Sequence, residues 1–222
     1  MYPIAGVSRT QARTDRLDRR TRQARSEGRD ARGALLDAAA EVFADRGLRE
    51  ASVDEIADRA GYSKGAVYWY FESKDGLFLA LLEERIDQPT REMIELLESA
   101  PPEQNMGPEA SRRFTELLRT QGELVLLEHE YWSQALRDPA LRRRYVRRQR
   151  ALRTALGKAL ITRVGQLGGP SLDPAQGKAM ATVMMSLAAG LARERLIDRA
   201  AVPDGLLGDA LVLLYKGTVS AG

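Results

Sequence analysis

The chain has 222 residues, 34 Lys and Arg against 31 Asp and Glu, one His and no Cys, and 44% of it is hydrophobic. That composition supports a buried core in one large or two small domains, and it excludes disulfide frameworks, thiolate metal sites, thiol catalysis and multi-histidine centres. The formal charge of +3 hides a patchwork: residues 1–32 hold +5, 33–85 hold −5, 86–138 hold −6, 139–163 hold +9, and 164–222 balance.

Residues 1–30 alternate Arg with small polar residues and read as a basic N-terminal arm, too poor in large apolar groups to offset its ordering entropy. No apolar stretch follows those arginines and none elsewhere approaches the roughly 18 residues of a membrane span, so a soluble, cytoplasmic protein is expected. From Gly33 onward, Leu35, Leu36, Ala39, Val42 and Phe43 recur at helical spacing opposite Asp37, Glu41 and Asp45, and Gly47 stops this first helix. Ser52-Val53-Asp54-Glu55 is a capping box opening a second helix, which Gly61 ends. Ser63 caps a third helix ending near Phe71. Ser73 caps a fourth, with Leu77, Phe78, Leu81 and Leu82, that Pro89 kinks or breaks after Asp87. Pro101-Pro102 and Gly107-Pro108 mark a loop. Further helical patterns cover 109–120, 122–137, 140–166, 174–199 and 204–217, parted by breakers such as Asp138-Pro139 and Gly168-Gly169-Pro170. Strand alternation is not found. The expected class is all-α with about nine helices.

The stretch from Ser52 to Phe71 meets the steric demands of a helix-turn-helix. Ala57 is small where two helices touch, Gly61 tolerates the left-handed turn, and Val67 anchors the second helix on an apolar underside. Val53, Ile56, Ala60 and Phe71 complete that underside over Leu35, Val42 and Phe43. Ser63, Lys64, Gly65 and Ala66 then open the third helix, whose N-terminal N–H groups attract phosphate and whose small residues permit close approach. Tyr68, Trp69 and Tyr70 follow, and so short a helix cannot bury all three. Their hydroxyls suit phosphate, and an indole face suits sugar or a thymine methyl. Lys74 adds a cation. The alternative, an aromatic cluster that merely caps a small core, requires neither the exposed Ser-Lys-Gly nor three adjacent rings.

Residues 33–85 resemble the DNA-binding domain of TetR-family (tetracycline-repressor-like) transcriptional regulators. The resemblance lies in Ala38 to Phe43 with Gly47, Ser52 to Gly61, Ser63 to Phe71, and Ser73 to Phe78. It implies a homodimer on a palindromic duplex operator, each third helix in a major groove, and a C-terminal helical domain that senses a small molecule. By position it assigns phosphate contacts to Ser52, Tyr68, Tyr70 and Lys74, and base-proximal contacts to Lys64, Gly65, Ala66 and Trp69. The expected organisation is a basic arm over 1–30, a helix-turn-helix domain over 31–85 with its recognition helix at about 63–71, and an effector-binding and dimerisation domain over 86–222. The acidic balance of residues 33–85 predicts modest nonspecific affinity, which the nine arginines of residues 1–32 offset if the arm lies along DNA.

Association is expected through 174–217, where Met180, Val183, Met184, Leu187, Leu191 and Leu196 form one stripe and Leu206, Leu207, Leu211, Leu213 and Leu214 a second. Intramolecular packing competes with that reading. An apolar effector pocket is expected from Phe114, Leu118, His129, Trp132, Tyr145, Met180 and Met184. The run from Arg142 to Arg150 pairs with acidic neighbours or holds an anionic effector. No metal or cofactor is expected, and the absence of a phosphate-binding Gly loop, nucleophile elbow or metal cluster argues against an enzyme. The reading is a ligand-responsive DNA-binding regulator, most simply a repressor; the alternative is an effector-independent architectural DNA-binding protein.

Overall fold

Helix α1 spans residues 30–50, the first of the residues, 30–220, that the computed structural model describes. The basic arm therefore falls almost wholly outside the described residues. After α1 come α2 (Val53–Ala60), α3 (Lys64–Phe71), α4 (Lys74–Leu82), a π-helical turn (Glu83–Asp87), α5 (Gln88–Ser99), α6 (Gly107–Ala135), α7 (Pro139–Gln166), α8 (Pro174–Ile197), a short 3-10 turn (Arg199–Ala201) and α9 (Leu206–Ser220). No strand occurs among the described residues.

Local chemistry sets most of these boundaries. Ser52, Ser63 and Ser73 each accept the N–H three residues on, from Glu55, Ala66 and Gly76, so all three predicted caps form. Only half of the predicted capping box is made, because the Glu55 carboxylate turns instead to Arg46 at 3.4 Å. Gly61 takes φ +73° between α2 and α3, a left-handed turn that lets the N–H of Tyr62 reach the Ala57 carbonyl at 2.9 Å. Pro89 has no N–H to offer the carbonyl of Arg85, and the turn before it widens into a π-helix, so α4 ends at Leu82 rather than Asp87. The expected pair of helices over 109–120 and 122–137 meets inside α6 at a kink at Gln121, whose φ of −129° and ψ of 20° are not helical. There the Thr120 hydroxyl donates to the Glu116 carbonyl at 2.8 Å, a back-bond that bends helices.

The core does not stop at the end of the helix-turn-helix. Leu35, Val42, Phe43, Ile56, Val67, Leu77, Phe78 and Leu81 are buried as the pattern requires, and Leu124, Leu127 and Tyr131 of α6 belong to the same cluster. An aromatic series runs through it: Phe43 meets Phe78 edge-on at 5.3 Å, Phe78 meets Tyr131 at 5.4 Å, and Tyr131 meets Tyr145 of α7 at 6.1 Å. The C-terminal half of α6 is thus a structural floor for the N-terminal helices. At the far end, α6 and α9 cross at Gly107 and Gly208; a Cβ on Gly208 would lie 2.0 Å from the Gly107 carbonyl oxygen, so only glycine fits.

Candidate nucleic-acid interface

The residues expected at DNA are brought together on one outer surface. Trp69 is 77% exposed and Tyr68 44% exposed, while Val67 and Phe71 on the opposite side of α3 are buried. Tyr70 is half-buried, its ring edge-on to Trp69 at 4.5 Å. Ser52, Ser63, Lys64 and Gly65 are exposed and Ala66 partly so. An eight-residue helix held by two buried anchors therefore presents an indole, a phenol and a small-residue N-terminus to solvent. Exposing an indole costs free energy unless something covers it, and this one is held out by the helix phase itself.

Two cations behave differently from the simplest expectation. The Lys64 ammonium sits 2.9 Å from the Asp54 carboxylate, which holds it above its ordinary pKa. Lys74 donates to the carbonyl oxygens of Arg49 and Ala51, at 3.1 and 2.9 Å. It ties the end of α1 to the start of α4, a bonding role that sequence position alone does not reveal. Arg59 is likewise engaged, by Asp45 at 3.0 Å. The acidic balance of the domain is thus expressed as paired surface charge.

The junction with the rest of the molecule is polar and buried. Arg148 of α7 reaches Asp87 of the π-turn, with Nε–Oδ2 at 2.7 Å, and Glu128 of α6 at 2.5 Å. Burial alone would lower the Arg148 pKa, but Glu128 and Asp87 outweigh it and raise it; burial in turn pushes the Asp87 carboxyl up, with Arg148 offsetting part of that. Tyr145 and Gln149 also donate to Glu128. One turn earlier, Arg144 donates to the Ser73 hydroxyl that caps α4, at 3.1 Å. Charge pairing, the simpler of the two readings of the Arg142–Arg150 run, accounts for Arg148.

The seven residues expected to form an effector pocket do not converge. A cavity of about 520 Å³ lies between α5, α7, α8, α9 and the start of α6, and of the seven only Met184 lines it, beside Met93, Leu97, Leu160, Leu211 and Tyr215. Trp132 and Tyr145 line a separate hollow of about 310 Å³ between α6 and α7. Phe114, Leu118, His129 and Met180 line neither. Helical phase gives no height along a 29-residue helix, and it misplaces Trp132, which is 43% exposed: the far half of α6 packs on the N-terminal core, and the cavity lies at its other end. His129 instead contacts Arg193 at 3.1 Å and packs on Trp132. Met93, Leu97 and Tyr215 were missed; α5 was not read as a separate helix, and Tyr215 sits on a segment read only for association.

Comparison with known proteins agrees with this architecture. Residues 35–81 match the family model for bacterial regulatory proteins of the tetR family. The HTH-type transcriptional activator FasR of Mycolicibacterium smegmatis is 38% identical over 102 residues, 45% of this chain and 47% of FasR. The chain thus aligns with about half the length of that relative. A TetR transcription regulator from Haloarcula marismortui superposes over 86% of this chain and 98% of its own, with TM-score 0.65 at 16% identity. The multidrug binding protein EbrR, solved with ethidium, covers 83% and 97%, with TM-score 0.59 at 23% identity. Among the described residues no helix is long and apolar enough to cross a membrane. Its helix-turn-helix segment thus matches the family model for bacterial regulatory proteins of the tetR family, and its helical fold is that of the solved TetR regulator.

Proposed function

We propose that the protein is a transcriptional regulator that binds an inverted-repeat operator as a homodimer, α3 of each protomer in a major groove, and that a small molecule in the 520 Å³ cavity releases it. The observation that carries the reading is the outward tip of α3, with Trp69 and Tyr68 exposed above buried Val67 and Phe71. Ser52, Tyr68, Tyr70 and Lys74 serve the phosphates, Lys74 with the N–H left over from its two carbonyl bonds; Lys64, Gly65, Ala66 and Trp69 approach the bases. Dimerisation is supported by apolar side chains left outside on the last two helices: Val183 is 52% and Leu213 72% exposed, with Leu206 and Leu214 beside them. FasR is named an activator and EbrR a multidrug binding protein; repression is the simpler outcome for a protein that occupies its operator until a ligand arrives.

Ligand release requires a mechanical link, and α7 offers one. It lines the cavity with Leu160 and Arg163 and touches the helix-turn-helix domain through Arg144 and Arg148. A shift of α7 on ligand binding moves the Asp87 turn, and with it α4 and the spacing of the two recognition helices. Such a ligand acts only through unequal affinity for the two arrangements. The test is selection of bound sequences from a random duplex pool, followed by a reporter with the selected site placed over a promoter. The reading predicts an enriched inverted repeat and reduced reporter output. Enrichment of a single half-site rejects the dimer, and no enrichment rejects the reading.

A further inference from the structure

Arg163 is 3% exposed, yet none of the ion pairs among the described residues involves it. Its guanidinium donates to three main-chain carbonyls at the end of α5, those of Ala100, Pro102 (3.1 Å) and Gln104 (2.8 Å). Those oxygens are dipoles, not charges, and they engage three of five N–H groups. A full positive charge thus stands in the wall of the large cavity without a counter-ion, although an unpaired buried charge is costly. Tyr215 of α9 donates to the Arg163 carbonyl at 3.0 Å and fixes this turn of α7 against the last helix. Lys216, next along α9, lines the same cavity; Glu103, on the loop at its edge, is the one acid lining it. The remaining wall is mostly apolar, from Met93, Leu97, Leu160, Met184 and Leu211.

We infer that the cavity takes an apolar organic anion, its body among the methionines and leucines and its charged group at Arg163 and Lys216. This rests on reading the cavity as the effector site, and it supplies that site with a chemical class. The size suits a drug-sized molecule. The α5–α6 loop carbonyls hold Arg163, so its head is oriented before an anion arrives and little rotamer freedom is lost on binding. An anion on the N–H groups left over joins the ligand to α7 and to that loop together, which gives the ligand a route to move α7.

The test uses the full-length protein and three probes of similar size: 1-anilinonaphthalene-8-sulfonate, its uncharged parent N-phenyl-1-naphthylamine, and cationic ethidium. Binding is followed by probe fluorescence, and release of the selected operator by anisotropy of labelled DNA. The sulfonate is expected to bind at one saturable site at least tenfold more tightly than the uncharged parent and to release the operator. Arg163→Met should weaken the sulfonate about tenfold or more while changing the uncharged parent less than about threefold. Lys216→Met, on an exposed side chain that the fold does not need, should weaken the sulfonate alone by a smaller factor. If Arg163→Met fails to fold, the Lys216→Met result and the probe ranking decide. Equal affinity for sulfonate and parent, or tighter binding of ethidium, overturns the inference; release of operator by either of those probes leaves the effector reading standing. If no probe binds, the inference falls, and if none releases DNA although the sulfonate occupies the cavity, it is the effector reading that falls.

Discussion

Trp69 and Asp54 make the sharpest single-residue cases. Trp69 is 77% exposed, so Trp69→Ala should change stability by less than about 0.5 kcal/mol, a surface-level effect, while altering preference at particular base positions. Tyr68→Phe removes only a hydroxyl and should weaken every sequence alike. Competition binding across a mutated operator series distinguishes the two; the reverse assignment would show that the phenol reads bases and the indole does not. Asp54 holds Lys64 at 2.9 Å on the surface proposed to face DNA. Asp54→Asn should therefore tighten nonspecific binding and steepen its salt dependence, because a repelling carboxylate is lost and a cation released. Salt titrations of both proteins on one random-sequence duplex check it. Tyr131 offers an opposite kind of case: it is fully buried, its hydroxyl has no hydrogen-bond partner among the described residues, and burial pushes its pKa up to about 12. Tyr131→Phe should leave stability unchanged or raise it by about 1 kcal/mol in chemical denaturation. His129 is held below its ordinary 6.5 by burial first and Arg193 second, with Glu128 opposing. The unfolded chain then binds this proton more tightly, so its contribution to stability is intact above about 6.5 and declines as pH falls below it. His129→Gln should lose that part of the pH dependence in melts between pH 7.5 and 5.5.

At the scale of elements, the junction of the π-turn with α6 and α7 is where the account is most exposed to test. Arg148 there serves two carboxylates, one of them fully buried. Removing the cation alone leaves Asp87 buried and unpaired, so Arg148→Met should cost about 3–5 kcal/mol, and Asp87→Leu with Arg148→Met should recover much of it. A double-mutant cycle in urea measures the coupling; additive losses would mean the pair does not act as a unit. The helix-turn-helix was legible because each requirement has its own residue: serine caps, a glycine turn and alternating anchors act within one or two turns. The π-turn was not legible, since Pro89 announces a break but not that the carbonyls before it will widen the helix. The kink in α6 at Gln121 falls where the helical patterns of 109–120 and 122–137 part, so it was legible. The cavity proposed for an effector was largely illegible because it depends on which helix ends meet. Gly107 against Gly208 is a contact 101 residues apart in sequence, and periodicity carries no such information.

Across the molecule, α7 runs from the capped start of α4 to the cavity, with about 28 Å of helix axis between Arg144 and Arg163. A rigid rod of that length turns a small displacement at one end into a change of spacing at the other, which is what a symmetric reader of two half-sites requires. The exposed apolar residues of α8 and α9 extend the same logic to the proposed dimer. Leu213→Glu should give a monomer by light scattering, with operator affinity reduced at least a hundredfold, since one half-site then bears the whole interaction. The central claim remains that the tip of α3 reads duplex DNA, and the most direct measurement is equilibrium binding of the wild type and a Lys64→Ala, Trp69→Ala double variant to the selected operator, alongside thermal melts. The account predicts nanomolar binding by the wild type and a loss of about a hundredfold or more in the variant at an unchanged melting temperature. Equal affinity in the two proteins would contradict it.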